Sequence, residues 1–198
     1  MTKKRVLIAN RGEIALRIIR SVKEMDMHAI AVYSDVDADS LHVKRADESF
    51  YLGGSLPADS YRNLKILMNA VIETKADMVH PGYGFLAENA DFAKAVQKKD
   101  VIWIGPNPET IKSMGDKIES RKLISKAGLM PVPGQLKPSR TKREAIKDAN
   151  AFGYPVALKA AHGGGGKGLR IVNNEEELNQ NYELSLIHIS EPTRLRHI

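Results

Sequence analysis

Short apolar runs alternate with helix-periodic stretches through the first half of the chain. Val6-Leu7-Ile8-Ala9 is a continuous apolar run, the pattern of a strand covered on both faces. Ile14, Ile18, Val22 and Met25 then recur at helical spacing, with Ala15 and Ile19 beside them. Asn10 is expected to cap that helix, and Glu13, three residues on, to reach back to the cap's amide. Ala29 to Tyr33 reads as the next strand, so the chain opens with a right-handed parallel strand–helix–strand unit. Glu48 to Leu52 predicts a short strand before Gly53-Gly54. Leu64, Leu67, Met68, Val71 and Ile72 share one helical face. Met78 to His80 reads as a strand, Glu88 to Lys98 as a helix, and Val101 to Ile104 as a strand closed by Gly105-Pro106. This alternation predicts an open, mostly parallel α/β sheet.

The rhythm changes at Pro106-Asn107-Pro108. Helices are expected at about 109–114 and 117–127, followed by a connector, residues 128–134, in which Pro131 and Pro133 deny a helix. Glu144 to Phe152 reads as a helix. Val156 to Ala160 and Leu169 to Val172 read as the two strands of a hairpin, joined across His162-Gly163-Gly164-Gly165-Gly166-Lys167-Gly168. A first domain is therefore expected over residues 1–113 and an incomplete second one over 114–183. Residues 184–198 contain Leu184-Ser185-Leu186-Ile187-His188-Ile189-Ser190-Glu191-Pro192-Thr193-Arg194, which resembles the in-frame translation of a transposase adapter used in sequencing libraries. That tail is expected to be non-native. Read as native instead, it would offer a short strand at Leu186 to Ile189.

Composition narrows the chemistry. Hydrophobic residues make up 42% and charged residues 27% of the 198, which are globular values and argue against disorder. No stretch approaches the roughly 18 consecutive apolar residues of a membrane span, and the apolar run after Met1 to Arg5 is too short for a signal peptide. There is no cysteine, which removes disulfides, thiolate metal sites and thiol nucleophiles together. The net charge of +6 suits nucleotide phosphates as readily as nucleic acid. Its cations, at Lys3-Lys4-Arg5, Lys98-Lys99 and Lys137 to Lys147, lack interleaved aromatics, so nucleic acid is not expected. No pair among the six histidines has zinc-ligand spacing.

Four adjacent glycines free the backbone to approach a ligand and aim several N–H groups at it. Lys167 adds a point charge suited to phosphate. This is not a Walker A loop, since Gly168 stands where Ser or Thr should follow the lysine, and strands are expected on both sides. Lys159 lies in the strand leading to the loop; ligand phosphate and a solvated strand face account for it equally well. Met114-Gly115-Asp116-Lys117 reads as a capped helix start. His80-Pro81-Gly82-Tyr83-Gly84-Phe85-Leu86-Ala87-Glu88-Asn89 follows the carboxyl end of a strand, where open α/β sheets bind ligands. Two glycines bracket Tyr83, so a tight turn is expected to present its ring.

With these segments in place, the chain resembles the biotin carboxylase family of ATP-grasp enzymes over about residues 4 to 183. Val6 to Arg17, His80 to Asn89, Ile104-Gly105-Pro106, Met114 to Lys117 and Lys159 to Arg170 match the family's motifs in order and spacing. The resemblance implies a Rossmann-like pre-ATP-grasp domain followed by the truncated start of an ATP-grasp domain. It implies an ATP-dependent ligase that uses MgATP (or the manganese salt) and bicarbonate to form carboxyphosphate and carboxylates N1′ of biotin on a carrier protein. Carried over, Lys117 and Lys159 contact ATP, and Gly163, Gly164, Gly165, Gly166, Lys167 and Gly168 form the loop that covers its phosphates. Lys167 replaces an arginine common there. Tyr83 and Gly84 border the biotin pocket, and Arg20 and Glu24 fall at a dimer contact. The family's metal-binding and acid/base glutamates, and its biotin-holding arginine, match no position here, so catalytic residues are unknown and the piece itself is expected to be inactive. Implied partners are a biotin carboxyl carrier protein and a carboxyltransferase component, in a homodimeric parent located in the cytoplasm, or in the mitochondrial matrix of a eukaryote.

Two other readings make distinct demands. A dinucleotide-binding module needs G-x-G-x-x-G after the first strand; Asn10-Arg11-Gly12-Glu13 lacks it, although Asp35 does follow the second strand. Another ATP-grasp ligase, such as a carbamoyl phosphate synthase-like enzyme, would keep the glycine loop and change the substrate.

Overall fold

A computed structural model describes residues 3–130, 137, 139–159 and 169–190; for 117, 118 and 183–190 it describes the backbone alone. The chain forms two compact units, Met1–Gly115 and Asp116–Ile198.

In the first unit five strands form one parallel sheet: β1 (Arg5–Ile8), β2 (His28–Tyr33), β3 (Glu48–Tyr51), β4 (Met78–His80) and β5 (Ile102–Trp103), in the order β3-β2-β1-β4-β5. The continuous apolar run of β1 has a simple cause. Successive side chains of a strand point to opposite faces, and here both faces are covered. Leu7, Ile30, Val32 and Val79 pack on one side with Leu67 and Val71 of α3 (Leu64–Glu73), Phe92 and Val96 of α4 (Ala90–Gln97), and Ile111 of α5 (Pro108–Gly115). Val6, Ile8, Ala29 and Ala31 pack on the other with Ala15, Ile18, Ile19 and Val22 of α1 (Gly12–Glu24). The short helix α2 (Leu41–Arg45) lies between β2 and β3 in sequence.

Asn63 and Asn89 cap α3 and α4, their side-chain oxygens accepting from Ile66 N at 3.2 Å and Phe92 N at 2.9 Å. Three connections into strands turn through left-handed residues, Asp26, Lys75 and Asp100.

Several sequence expectations are corrected. Asn10 does not cap α1: Arg11 is the N-cap residue and makes no side-chain cap bond, because the Asn10 amide is engaged elsewhere. Met25 is 65% exposed at the C-cap, past the last turn that meets the sheet, and Ile72 is 54% exposed one position beyond buried Val71. Glu88 to Lys98 is not one helix; a 3-10 turn over Phe85–Glu88 precedes α4, with Asn89 between them.

The second unit comprises α6 (Lys117–Lys126), α7 (Lys142–Phe152), β6 (Val156–Leu158), β7 (Arg170–Val172) and α8 (Glu175–Ser190). The Asp116 carboxylate accepts from Glu119 N at 2.9 Å, as expected of a helix start. β6 and β7 pair antiparallel, Val156 opposite Val172 and Leu158 opposite Arg170, so the expected hairpin is present. Among its described residues Ala145, Ala149, Val172 and Leu178 are buried, with Ile146, Tyr154, Val156 and Tyr182 packed around them. The backbone of 184–190 continues α8, so the strand considered for Leu186 to Ile189 does not form.

Candidate functional site

The strand order places a topological switch between β1 and β4. The chain leaves β1 towards β2 on one side and returns through α3 to β4 on the other. Loops following such strands diverge and leave a crevice, the usual ligand position in open α/β sheets. Here those loops are Ala9 to Gly12 and Pro81 to Gly84.

Asn10 joins the two loops. It is 2% exposed, and its Nδ2 donates to Pro81 O at 2.7 Å and Tyr83 O at 2.8 Å, while its Oδ1 accepts from Arg11 N at 2.9 Å. A buried amide with both donors and its acceptor engaged is fully satisfied and therefore rigid. Gly82 lies against it at φ +66°; a Cβ there would come within 2.7 Å of Asn10 Nδ2, so only glycine fits. Gly84 is also left-handed, at φ +62°, and so is Phe85, at φ +44°. The turn presents Tyr83 as the sequence suggested, and the residue is 60% exposed. Its hydroxyl donates to the Glu13 carboxylate in the first turn of α1. Gly82 N donates to His80 Nδ1 at 3.0 Å, which places the neutral ring's proton on Nε2, and burial pushes the His80 pKa below its ordinary value.

A second brace holds the loop after β1 to the turn after β2. Arg11 grips Asp37 with two hydrogen bonds, Nε to Oδ2 at 2.6 Å and Nη2 to Oδ1. Tyr61 OH donates to Asp37 Oδ2 at 2.7 Å and accepts from Ser34 N at 3.1 Å, and the Arg11 guanidinium lies 5.7 Å from the Tyr61 ring centre. Tyr61 stacks on Phe85 at 5.6 Å, which carries the brace across to the loop after β4. Burial alone would raise the Asp37 pKa; hydrogen bonds from Arg11 and Tyr61 outweigh it and bring it to about 2. Burial and the bond to that carboxylate push Tyr61 up to about 12.

Asp35, the acidic residue a dinucleotide module would place on a ribose, is engaged by Tyr51 OH and, at 3.4 Å, by Ser55 Oγ.

Tyr83 and Gly84 stand at the switch crevice. Arg20 and Glu24 are exposed on α1, away from the face formed by Ile18, Ile19 and Val22. Lys159 is exposed directly after β6. The side chain of Lys117, and all of Gly163, Gly164, Gly165, Gly166, Lys167 and Gly168, lie outside the described residues. Sequence reasoning missed Asn10 as a cross-link and Asp37, Ser34 and Tyr61 as a brace. The only signal was a polar residue directly after each of two apolar runs, Asn10 and Ser34.

Residues 2–111 match the family model described as the N-terminal domain of biotin carboxylase. The chain belongs to the biotin carboxylase family. Residues 116–191 match a second family model, the ATP-binding domain of the carbamoyl-phosphate synthase L chain. The human mitochondrial propionyl-CoA carboxylase alpha chain is 47% identical over 181 residues, which cover 91% of this chain and 25% of that one. The 2-oxoglutarate carboxylase small subunit of Hydrogenobacter thermophilus is 46% identical over 180 residues, 91% of this chain and 38% of that subunit. The crystal structure of that enzyme's biotin carboxylase domain dimer, in complex with MgADP, ADP and bicarbonate, superposes with a TM-score of 0.89 at 44% identity, covering 95% of this chain and 41% of that one. A biotin carboxylase–ATP analogue complex from Campylobacter jejuni gives a TM-score of 0.89 at 42% identity, covering 93% and 42%. The chain spans well under half the length of the relatives it matches.

Proposed function

We propose that the chain is the N-terminal part of a carboxylase that uses MgATP and bicarbonate, by way of carboxyphosphate, to carboxylate biotin on a carrier protein and pass it to a carboxyltransferase component. The observation that carries this reading is the match of residues 2–111, the unit that holds the switch crevice, to the N-terminal biotin carboxylase domain. The ADP and bicarbonate of the Hydrogenobacter structure support the substrates.

Within this reading Tyr83 and Gly84 border the biotin pocket. Lys117, Lys159 and the loop Gly163 to Gly168, with Lys167, bind ATP. Phosphoryl transfer needs positioning and charge neutralisation more than covalent chemistry, and lysines with backbone N–H groups supply both. Arg20 and Glu24, exposed on one helix, contribute to a dimer contact in the whole protein. Among the described residues no group of three or more His, Asp or Glu is arranged to hold a metal ion, so no step here is assigned to magnesium. No described helix is long and apolar enough to cross a membrane. Mitochondrial relatives such as the human propionyl-CoA carboxylase chain leave a cytoplasmic or a matrix location for the protein. Residues 184–198 are proposed to be non-native.

The carbamoyl-phosphate synthase match over 116–191 favours a second reading, an ATP-grasp ligase acting on another carboxyphosphate acceptor. Reading the gene past the codon for Glu183 and assaying its full product separates the two. Bicarbonate-dependent ATP cleavage stimulated by biotin supports the carboxylase; stimulation by ammonia with carbamoyl phosphate formed instead supports the second reading. A stop codon directly after the tail overturns the proposal for 184–198.

A further inference from the structure

Tyr83 is held at two points by residues that follow β1. Its main-chain oxygen accepts from Asn10 Nδ2 at 2.8 Å, and its phenol donates to the Glu13 carboxylate. Between left-handed Gly82 and Gly84, and 60% exposed, Tyr83 has little packing of its own to select a side-chain rotamer. A hydrogen bond to an ionised acceptor is stronger than a neutral one and can do so. Glu13 stands in the first turn of α1, one residue after Gly12. A carboxylate only accepts, so it takes the single phenol proton, and the phenol oxygen can offer other groups nothing but lone pairs.

We propose that Glu13 is a positioning residue for Tyr83: with Asn10 it fixes the tyrosine at ring and backbone, and it commits the phenol oxygen to act as an acceptor for an N–H donor of the substrate, a ureido N–H of biotin. This rests on the reading that Tyr83 borders the biotin pocket.

The first test uses the 198-residue chain labelled with 3-fluorotyrosine, with Tyr83→Phe assigning the Tyr83 fluorine line. Glu13→Ala should shift or broaden that line while leaving the other five tyrosine lines in place. Glu13→Gln, whose amide oxygen still accepts, should stay close to the unsubstituted chain. A Tyr83 line unmoved by Glu13→Ala overturns the proposal.

The second test uses the full-length carboxylase. Glu13→Ala should raise KM for biotin roughly 5–10-fold, the worth of one ordinary net hydrogen bond, with KM for ATP unchanged. In a Tyr83→Phe background the same substitution should have no further effect. Equal rises in both KM values, or a full effect without the hydroxyl, overturn it. If the full-length protein shows no biotin-dependent turnover, the carboxylase reading fails and the ligand half of this proposal with it, while the fluorine spectra still decide whether Glu13 orders Tyr83.

Discussion

Arg11, at the N-cap of α1, and Asp37, in the turn after β2, form a two-pronged ion pair whose Nε to Oδ2 distance is 2.6 Å and whose carboxylate side chain is only 5% exposed. Lysine cannot reproduce the second prong, and asparagine leaves Arg11 and Tyr61 facing a neutral amide. Asp37→Asn should destabilise the first unit by about 2–4 kcal/mol, somewhat less than the roughly 3–5 kcal/mol of a fully buried pair because Arg11 is partly solvated. Trp103, the single tryptophan, sits in β5 of the same unit and reports its urea unfolding. An unchanged midpoint would mean that the pair contributes nothing.

The same carboxylate predicts acid behaviour. The Asp37 pKa is about 2 in the fold against 3.8 ordinarily, so the unfolded chain binds the proton first as pH falls. Its stabilisation is present above about pH 4 and is lost between about 4 and 2. His42, 1% exposed with Nε2 at 3.2 Å from Val32 O, and His80 are both lowered chiefly by burial. Their contribution is full well above pH 6.5 and shrinks as pH falls through that value. Unfolding midpoints followed through Trp103 should therefore drop in two stages, one below about pH 6.5 and one below about pH 4. A flat profile from pH 7 to pH 5 would contradict the histidine part.

Gly82 and Gly12 separate strain from crowding. Both are left-handed, at φ +66° and +64°, but a Cβ at Gly82 meets Asn10 Nδ2 at 2.7 Å while one at Gly12 meets nothing within 4 Å. Gly12→Ala should cost about 1 kcal/mol from backbone strain alone. Gly82→Ala should cost about 2–4 kcal/mol, because the clash also breaks the Asn10 bonds. Equal effects in thermal denaturation would show that Asn10 yields freely.

The two units should differ in protection from hydrogen exchange. The first buries two clusters on either face of a five-stranded sheet, whereas among the described residues of the second four apolar side chains are buried, beside the paired strands β6 and β7. Amides of β1, β2 and β4 should exchange slowest and those of β6 and β7 at least about tenfold faster. Uniform protection would overturn this.

The purified 198-residue chain should show no biotin-dependent ATP cleavage. It spans only 25% of the human propionyl-CoA carboxylase chain and 41% of the Hydrogenobacter chain that it matches. Measurable activity by a coupled ADP assay would overturn the expectation.

The sheet was legible because its cause is local. Val6 to Ala9 and Ala29 to Val32 are continuous apolar runs, and a run of that length is stable only as a strand covered on both faces, as found. The hairpin of β6 and β7 was legible for the same reason, two short strand-like runs flanking glycines. Asn10 misled because an asparagine before a helix usually caps it. Tertiary structure decided otherwise: β4 ends beside β1 and brings the carbonyls of Pro81 and Tyr83 within reach of its amide.

By itself, then, the sequence determined the strands, most of the helices, the turn that displays Tyr83 and, through its ordered motifs, the family. Only the tertiary structure decided that β1 and β4 are neighbours, and hence that Glu13 meets Tyr83 and Arg11 reaches Asp37. Periodicity records which face of an element is apolar; it carries no record of which polar groups, 70 or 26 residues apart, come together when the sheet closes.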